Sequence, residues 1–468
     1  MRLFEQELQV LNVGLASFAE EIVQGGGKAV SIEWAPPAGG DAAAGRALAR
    51  LVNDAAVEAA NRKAFAAYLA VQPELVGIGL ARDTIPGMNE RRILHAGPPI
   101  AWERMCGPMQ GAIIGALIFE RWAKDEEGAR KLAASGNVAF APCHHYGAVG
   151  PMAGIITPST PVWIVRDPVS GRRSFSNLNE GLGKVLRYGA NDRQVLDRLT
   201  WMATTLFRVF EATFAAGLTI ELKPLIGQAL NMGDEMHNRN TAATALLLRN
   251  LISPMLRSPA SREDVAAAVA FIASNDFFFL NLSMACSKLM LDAARDVPAS
   301  SMVTAMARNG VEFGVQMSGT GDRWFTAPAP VVDGLFFPGY SKADAAADLG
   351  DSAITEAAGL GGFAVAAAPA IVTFVGGSAE DAIANTAAMG HITLGRNGAW
   401  TLPTMNFVGT PAGIDARKVV DTGILPVINT GIAHREPGIG QVGAGITRAP
   451  LDCFVQAVTA LAAVLPDE

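Results

Sequence analysis

The chain has 468 residues, of which 50% are hydrophobic and 17% are charged, and it contains 49 glycines and 26 prolines. This length and apolar content predict two to four folded domains with many short loops and exclude an intrinsically disordered protein. The formal net charge of −7 and the scatter of lysine and arginine along the chain argue against nucleic acid or an anionic membrane surface as a partner.

Residues 1–85 are predicted to form a β-α-β unit followed by a helix. Apolar runs at 10–14 and 29–34 indicate two strands, and the run between them indicates a helix over 17–23 that ends at a triple-glycine turn. No GxGxxG motif follows the first strand, so nucleotide binding is not predicted. The alanine-rich stretch 44–69 predicts a further helix.

Three features of the sequence predict a cytoplasmic protein. The four cysteines lie far apart and form no CxxC pair, which is typical of free thiols in a reducing compartment. The first ten residues, MRLFEQELQV, carry charges where a secretory signal needs an apolar core. The uncharged stretch 357–379 is mostly alanine and glycine and contains Pro369, so it predicts a buried helix and strand and not a membrane span.

Residues 86–190 are predicted to form an α/β domain in which a strand ends at a chemically dense loop. That strand runs into Cys143-His144-His145 and a stretch rich in glycine and proline. A strand end beside such a loop often presents reactive side chains. A buried thiol with two histidines bonded to neighbouring backbone is the structural alternative. Strands are predicted at 76–80, 92–96, 138–141, 162–166 and 173–175, and helices at 108–123 and 125–134.

The stretch 177–184, NLNEGLGK, is predicted to begin a helix. Its polar residues Asn179, Glu180 and Lys184 would then crowd a helix N-terminus, where free N–H groups favour anions. We therefore expect an anion-binding element at this position.

Residues 191–297 are predicted to form a central all-helical domain. The polar stretch 233–240, GDEMHNRN, interrupts an otherwise apolar helix, and at helical spacing Asp234 and His237 share a face with Arg239 to the side. A single histidine excludes an HExxH zinc motif. A capped helix start with solvated charges is the structural alternative. Amphipathic segments are predicted at 192–215, 221–256, 261–273 and 275–296.

Residues 298–468 are predicted to form a second α/β domain, so the fold class is α+β or α/β multidomain, with α/β parts flanking the helical domain. The Arg308-Asn309-Gly310 corner indicates a type I′ hairpin turn. The stretch 350–356 predicts a capped helix start, and Ser378 with Asp381 predicts a capping box. Strands are predicted at 301–308, 312–317 and 324–327.

The stretch 426–450 is predicted to be a short strand followed by a glycine-rich loop that carries His434 and Arg435. Such a loop can hold a phosphate or carboxylate with backbone N–H groups while arginine supplies a bidentate clamp. It lacks the GxxxxGK[ST] spacing of a Walker loop. A purely structural loop is the alternative, but consecutive histidine, arginine and glutamate favour a functional one.

Long motifs follow one another along the chain, and in this order they resemble the YlbE-like family, whose best-understood type is the AllG subunit of oxamate carbamoyltransferase. The resemblance runs from about residue 85 to the C-terminus. The motifs are HAGPP (95–99), GPMQGA (107–112), FERWAKDE (119–126), PCHHYGAVGPMAGI (142–155), NLNEGLGKVLRYGA (177–190), GDEMHNRN (233–240), NDFFFLNLSMA (275–285), MARNGVEFG (306–314), RWFTAP (323–328), GDSAITE (350–356) and NTGIAHREPGIGQVGAG (429–445).

The resemblance implies one subunit of a multi-component carbamoyltransferase of allantoin degradation and purine catabolism. Its partners would be an acyl-CoA-synthetase-like subunit of the FdrA type and a smaller helical subunit. The implied reaction converts oxalurate and phosphate to oxamate and carbamoyl phosphate. A related N-carbamoyl or amide substrate, a non-catalytic interaction subunit and an amidohydrolase are the alternatives. The S-x-R-T and H-P-x-Q motifs of ordinary carbamoyltransferases are absent from the sequence, so a different fold would carry the activity.

Carbamoyl transfer needs an oxyanion site, donors for the developing charge and an acid for the leaving nitrogen, and we expect these in a pocket between the α/β and helical parts. No cofactor beyond the substrates phosphate and carbamoyl phosphate is expected, and a homodimer is the default expectation. No metal ligands are assigned, and a divalent ion on the adjacent histidines and a carboxylate is the alternative. The predicted catalytic residues are His144, His145, His237 and Glu180, with Cys143 as an alternative nucleophile. The predicted substrate-binding and phosphate-binding residues are Asn179, Lys184, Asp234, Arg239, Arg308, Asn429, His434 and Arg435.

Overall fold

The computed structural model describes residues 9–32, 36–88, 91–373 and 377–465. Across these ranges, helices pack on several small sheets, so the predicted mixed α/β, multidomain fold class is confirmed. One large apolar core extends from the N-terminal third of the chain to its last helix, beside a second, smaller core. Among the described residues, no helix is both long and apolar enough to cross a bilayer.

The predicted N-terminal β-α-β unit is present, with its two strands running parallel. Residues 33 and 34 of the predicted second strand lie outside the described residues. The elements are β1 (Gln9–Val13), α1 (Ala16–Gln24) and β2 (Lys28–Ile32).

The helix predicted over 44–69 is two helices, α2 (Ala42–Val52) and α3 (Ala55–Ala70). Asp54 causes the break, because its carboxylate accepts the first free N–H groups of α3 and so begins a new helix.

The stretch that leads to the Cys-His-His loop folds largely as predicted. Two short strands run parallel there, and the second one ends directly before Cys143. The elements are β3 (Glu74–Leu80), α4 (Ala81–Thr84), β4 (Arg92–His95), α5 (Gly107–Phe119), α6 (Glu126–Ala134) and β5 (Ala139–Pro142).

A five-stranded sheet joins strands from the three segments predicted before residue 298. The added strands are β6 (Ala148–Val149), β7 (Pro161–Arg166), β8 (Arg173–Asn177) and β9 (Ile220–Glu221), in the order β6-β8-β7-β3-β9. The β7–β8 pair is the predicted hairpin. Trp163 of β7 packs on Phe210 and Phe278, with ring centroids 4.8 and 6.0 Å away. The boundaries at 85, 190 and 297 stay a prediction.

The helix predicted to begin at 177–184 is not formed, and this prediction was wrong. Gly181 and Gly183 have φ of +93° and +85°, which a helix does not allow. The asparagine side chains of this stretch bond to other segments of the protein, so the stretch is an irregular buried loop that ends in a single helical turn at Leu186–Tyr188.

The central part is helical, but the single helix predicted over 221–256 is interrupted at 232–240. Gly233 and Met236 have φ of +97° and +75°, which breaks the helix there. The alternative of solvated charges is also wrong, because Asp234, Glu235 and His237 are buried. The helices are α7 (Arg193–Trp201), α8 (Phe207–Phe214), α9 (Leu222–Asn231), α10 (Thr241–Arg257), α11 (Arg262–Ala273) and α12 (Leu280–Asp292).

After residue 298 the three predicted strands form one sheet together with a fourth, short strand. Its hairpin turn is not type I′, because Gly310 has a positive φ while Asn309 does not. Asn309 ends its strand, and its side-chain oxygen accepts the N–H groups of Val311 and Glu312. The strands are β10 (Val303–Asn309), β11 (Glu312–Met317), β12 (Phe325–Pro328), β13 (Asp333–Phe336) and β14 (Leu349–Gly350). The order in the four-stranded sheet is β12-β11-β10-β14.

Within 357–379, the described residues 357–373 and 377–379 form short helical turns and the start of a further helix in place of the predicted helix and strand. Gly359 and Gly361 have φ of +90° and +56° and so prevent a continuous helix. No side chain caps the helix that starts at Ile354. The capping box at Ser378 is confirmed. The helices are α13 (Ile354–Ala357), α14 (Pro369–Thr373) and α15 (Ala379–Met389).

The glycine-rich loop predicted after residue 428 is a β-hairpin, and the loop prediction was wrong. Glycine there lets neighbouring strands approach closely: a Cβ on Gly445 would lie 2.1 Å from the carbonyl oxygen of Asp333. The hairpin pairs with β13. The last elements are β15 (Thr393–Leu402), β16 (Val408–Ile414), α16 (Ala416–Thr422), β17 (Val427–Ala433), β18 (Gln441–Arg448) and α17 (Leu451–Val464).

Candidate active site

A small cavity lies where several distant segments of the chain meet, with about 350 Å³ of empty space when the space open to solvent is included. Three of the segments predicted to form the pocket, 137–162, 233–240 and 429–445, each contribute to its lining. The turn at Leu186–Tyr188, the residues just before α13 and those around the start of α12 complete it. The lining residues are Pro151, Met152, Arg187, Tyr188, His237, Asn238, Phe277, Leu280, Ser352, Gly431 and Gln441.

His237 and Glu356 form a buried, hydrogen-bonded pair at this cavity. The Nδ1 atom of His237 lies 2.8 and 3.0 Å from the two carboxylate oxygens of Glu356. The carboxylate also accepts the backbone N–H groups of Gly362 and Asn429 and the hydroxyl of Thr355. Because Nδ1 is engaged and His237 lines the cavity, Nε2 is the ring nitrogen available to a ligand. This is the arrangement of an oriented general acid–base.

Strained backbone and one glycine hold the pair in place. Met236, directly before His237, and Met152, which lines the cavity, have φ of +75° and +55°. Side chains other than glycine rarely adopt this region, and such strain concentrates at functional sites. At Gly361 a Cβ would lie 2.0 Å from Oε1 of Glu356, so only glycine lets the chain pass this close to the carboxylate.

Glu235 is a second buried carboxyl group beside the pair. Its Oε1 accepts the backbone N–H groups of His237 and Arg239 at 3.1 and 2.7 Å, and its Oε2 accepts the Asn429 amide at 3.1 Å. Burial raises the pKa of Glu235 to about 7; the charge of His237 opposes this shift and that of Glu356 adds to it. Glu235 therefore changes its charge near neutral pH.

Arg187 supplies the positive charge of the cavity. Its side chain is 5% exposed, and its Nη1 donates to Oδ1 of Asn179 at 3.1 Å. Its guanidinium also lies 5.1 Å from the ring centre of Tyr188, whose hydroxyl is 3.3 Å from Oε1 of Gln441. Within the described ranges no salt bridge joins Arg187 to a carboxylate. Such a guanidinium is suited to a carboxylate or phosphate ligand.

An open apolar cleft of about 900 Å³ leads into the cavity. The two spaces share Asn238, Phe277 and Gln441. The remaining residues of the cleft carry no charge; they are Leu182, Gly183, Phe337, Ile371, Ala444 and Gly445. The charged groups that a small anion would meet on this route therefore lie in the inner cavity.

The sequence profile of the family described as "Oxamate carbamoyltransferase subunit AllG" matches residues 138–352. The Escherichia coli K12 protein of that description is 48% identical to this chain over 412 residues, which are 87% of this chain and 97% of that protein. The chain belongs to the AllG family. The resemblance inferred from the motifs is thereby confirmed.

Two further relatives align with most of this AllG-family chain. The protein described as "Uncharacterized protein YahG" from E. coli K12 is 44% identical over 459 residues, which are 97% of each chain. A crystal structure of a conserved protein of unknown function from Enterococcus faecalis V583 is 47% identical and has a TM-score of 0.86. It covers 88% of this chain and 98% of that one.

In this AllG-family chain, Cys143, His144 and His145 do not line the cavity. Only later residues of the same segment, Pro151 and Met152, line it. Burial raises the pKa of the Cys143 thiol well above its ordinary value, an environment that does not support a nucleophilic thiolate. His144 is buried, and its Nε2 lies 3.5 Å from Oδ1 of Asp351. His145 is exposed and accepts the indole N–H of Trp324 at 3.0 Å. Among the described residues, no three histidine, cysteine or acidic side chains are grouped as metal ligands.

Four predicted anion-binding residues also lie away from the cavity. Lys184 and Arg435 are exposed, and His434 lies in the connection between β17 and β18, where it accepts the N–H of Glu436. Arg308 is fully buried and forms a two-pronged bond with the carboxylate of Asp348 at 2.7 and 2.9 Å. Its charge is already neutralised inside the protein.

The other predicted residues do not line the cavity, and some of them bond to residues of the site. Asn179 bonds to Arg187, and Asn429 links Glu235 to Glu356. Asp234 accepts the N–H of Ala243 at 2.8 Å and lies 3.6 Å from Nε of the half-exposed Arg239. Glu180 accepts the N–H of Leu186 at 2.6 Å, and burial raises the pKa of Glu180.

Two functional candidates were missed in the sequence. Arg187 stands in NLNEGLGKVLRYGA, but a helix placed at 177–184 selected Lys184 as its cation. Glu356 stands in GDSAITE, which was interpreted as a helix start. The available signal was the acidic residue in a stretch otherwise free of charge from 352 to 379.

Proposed function

We propose that this chain is the substrate-binding and proton-transferring subunit of an oxamate carbamoyltransferase-like complex. The observation that carries the proposal is the joint presence, in one cavity, of the His237–Glu356 pair and of a buried arginine without a carboxylate partner. Membership of the AllG family supports a role in that complex. The proposed partners are the FdrA-type acyl-CoA-synthetase-like subunit and the smaller helical subunit.

In the proposed reaction the amide nitrogen of oxamate attacks the carbamoyl carbon of carbamoyl phosphate. A C–N bond forms, the bond from that carbon to the phosphate oxygen breaks, and one N–H proton must move from nitrogen to the leaving phosphate. His237 Nε2 accepts this proton and delivers it to the phosphate, while Glu356 holds Nδ1–H and stabilises the imidazolium. In the reverse direction the same atom takes the proton from phosphate and gives it to the departing nitrogen.

Arg187 binds the anionic group of a substrate in this proposal. Oxamate offers a carboxylate and carbamoyl phosphate offers a phosphate, and a guanidinium binds either with paired N–H groups. Separate Michaelis constants for the two substrates distinguish these cases.

The test is a reconstituted assay of phosphate release from carbamoyl phosphate and oxamate, with each subunit omitted in turn. Arg187→Gln should raise the KM of one substrate by about 10- to 100-fold, since hydrogen bonds to charged groups contribute about 1.5–3 kcal/mol. Arg435→Gln is the matched control, because Arg435 is exposed away from the cavity. Equal KM values for the Arg187 variant and the unmodified chain, or full activity without this chain, would overturn the proposal.

A further inference from the structure

We infer that Asn179 is a positioning residue that binds the guanidinium of Arg187 through a neutral oxygen, so that no carboxylate is bonded to Arg187 and an anionic ligand can take that place. The inference rests on the proposed role of Arg187 and adds how the chain prepares that charge. Its basis is a set of buried asparagines connected by hydrogen bonds, of which Asn179 accepts from the guanidinium; the set comprises Asn177, Asn179, Asn275 and Asn281.

The acceptor for Arg187 is a neutral oxygen fixed by several donors. Oδ1 of Asn179 accepts Arg187 Nη1 at 3.1 Å, the backbone N–H of Gly181 at 3.1 Å and the amide of Asn275 at 3.3 Å. Its own amide donates to Oδ1 of Asn281 at 3.0 Å. Both ends of the Asn179 side chain are therefore held, and its oxygen cannot rotate away from the guanidinium.

The fixation continues into the core of the protein. Asn281 on α12 is fully buried, and its amide donates to the backbone oxygen and the side-chain oxygen of Asn177, both at 2.7 Å. Asn177 in turn donates to the backbone oxygen of Ile155 at 3.2 Å. A row of amides thus connects helix α12 and strand β8 to Arg187 without introducing a charge.

Two other buried arginines of this molecule are each bonded to a carboxylate. Arg308 bonds to Asp348 at 2.7 Å, and Arg417 bonds to Asp415 at 2.8 Å. A carboxylate beside a buried guanidinium removes the cost of an isolated charge. At Arg187 no carboxylate is bonded directly, and a ligand anion can take that place at the cavity.

Glu180 is the carboxyl group that interacts with Arg187 through space: burial raises its pKa above the ordinary value and the charge of Arg187 opposes this rise, but among the described residues no hydrogen bond or salt bridge joins the two side chains. Its Oε2 accepts the N–H of Leu186 at 2.6 Å. The other titratable groups at or next to the cavity are Tyr188, Glu235, His237 and Glu356.

The decisive variant is Asn179→Asp, which keeps the shape and the bond to Arg187 but adds a counter-charge. Calorimetric titration of the full-length chain with oxamate, and separately with inorganic phosphate, should show binding of at least one anion at pH 8. Asn179→Asp should weaken that binding by about 10- to 100-fold. Affinity should return as the pH is lowered and the introduced carboxyl is protonated, relative to the unmodified chain at each pH. Arg187→Gln should lose binding at every pH.

A merely structural role for Asn179 gives a different result, because aspartate would strengthen the bond to Arg187 and leave anion affinity unchanged. That outcome, or failure of the unmodified chain to bind either anion, would overturn the inference. If Asn179→Asp does not fold, as judged by its thermal unfolding, Asn179→Ser carries the test: its shorter side chain no longer reaches Arg187 and adds no charge, so anion affinity should fall by less than expected for Asn179→Asp and should not recover at low pH. If the binding pattern holds but the reconstituted complex transfers no carbamoyl group, the inference stands and the proposed function fails.

Discussion

The described part of the protein contains two buried histidine–carboxylate pairs. Their acidic members lie five positions apart in one segment, but only one pair is arranged for proton transfer. His237 and Glu356 are hydrogen-bonded at 2.8 Å at the wall of a cavity. His144 and Asp351 are 3.5 Å apart, and His144 lines none of the cavities described above. Both pairs bring a histidine and a carboxylate together, so the presence of these residue types alone does not distinguish them.

The difference lies in what each carboxylate does. Oδ1 and Oδ2 of Asp351 accept the backbone N–H groups of Gly97 and Gly150 at 2.8 and 3.0 Å, so Asp351 fastens two loops together. Burial lowers the pKa of His144 well below its ordinary value and so disfavours its charged form. Glu356, in contrast, accepts directly from His237 and orients that ring toward the cavity. A histidine becomes a proton carrier when it has both an orienting partner and access to a ligand.

The largest expected effect separates the two histidines directly. His237→Asn should lower kcat of the reconstituted complex by about 10²- to 10⁴-fold, because general acid–base catalysis contributes that range. His144→Asn should change kcat by less than about tenfold and act mainly on thermal stability. Steady-state phosphate release measures both. A loss in the His144 variant as large as that in the His237 variant would reverse the assignment.

Gly361→Ala tests whether the carboxylate position matters. Its Cβ would lie 2.0 Å from Glu356 Oε1, so the carboxylate must move away from His237, and we expect kcat to fall by about tenfold or more. Gly217→Ala is the matched control: Gly217 also has a positive φ, of +81°, but open space at its Cβ. Both substitutions should cost about 1–3 kcal/mol of backbone strain. Equal activities of the two variants would show that the pair tolerates displacement.

Much of the local structure could be predicted from the sequence, because its causes are local. The first strand of the hairpin at 162–177 follows from a continuous run of β-branched and aromatic residues, and the capping box at Ser378 follows from residues three positions apart. The site depends on contacts between distant positions: His237 and Glu356 are 119 residues apart. The choice of Arg187 over Lys184 depends on which of two nearby cations is buried, and that follows from the irregular loop that asparagine contacts create.

A pH series compares the buried carboxyl groups beside the two histidines. Burial raises the pKa of Asp351 to about 7, whereas an unfolded aspartate titrates near 4. The folded chain therefore holds this proton more tightly, and the resulting stabilisation is present at low pH and lost as the pH rises from about 4 to about 7. Asp351→Asn removes this dependence, so the free energy of unfolding of the unmodified chain, relative to that of the variant, should decline over this interval.

Urea unfolding at half-unit pH steps measures this difference, and a constant difference from pH 4 to 7 would contradict it. Glu235→Gln provides the comparison at the other pair, because burial also raises the pKa of Glu235 to about 7. It should show the same direction in stability. Only the Glu235 variant should also change the pH profile of kcat, because its carboxyl group adjoins His237.

The smallest expected effect concerns His145, the neighbour of His144. Trp324 donates its indole N–H to Nε2 of His145 at 3.0 Å and packs edge-on against His144 at a centroid distance of 5.5 Å. Trp324→Phe keeps an aromatic ring but removes the donor, so it should lower the free energy of unfolding by about 1 kcal/mol, the usual contribution of one hydrogen bond. Activity should stay unchanged, since this contact orders a loop outside the cavity. A loss of kcat without a loss of stability would mean that the Cys-His-His loop takes part in the chemistry after all, and the contrast between the two histidine pairs would then fail.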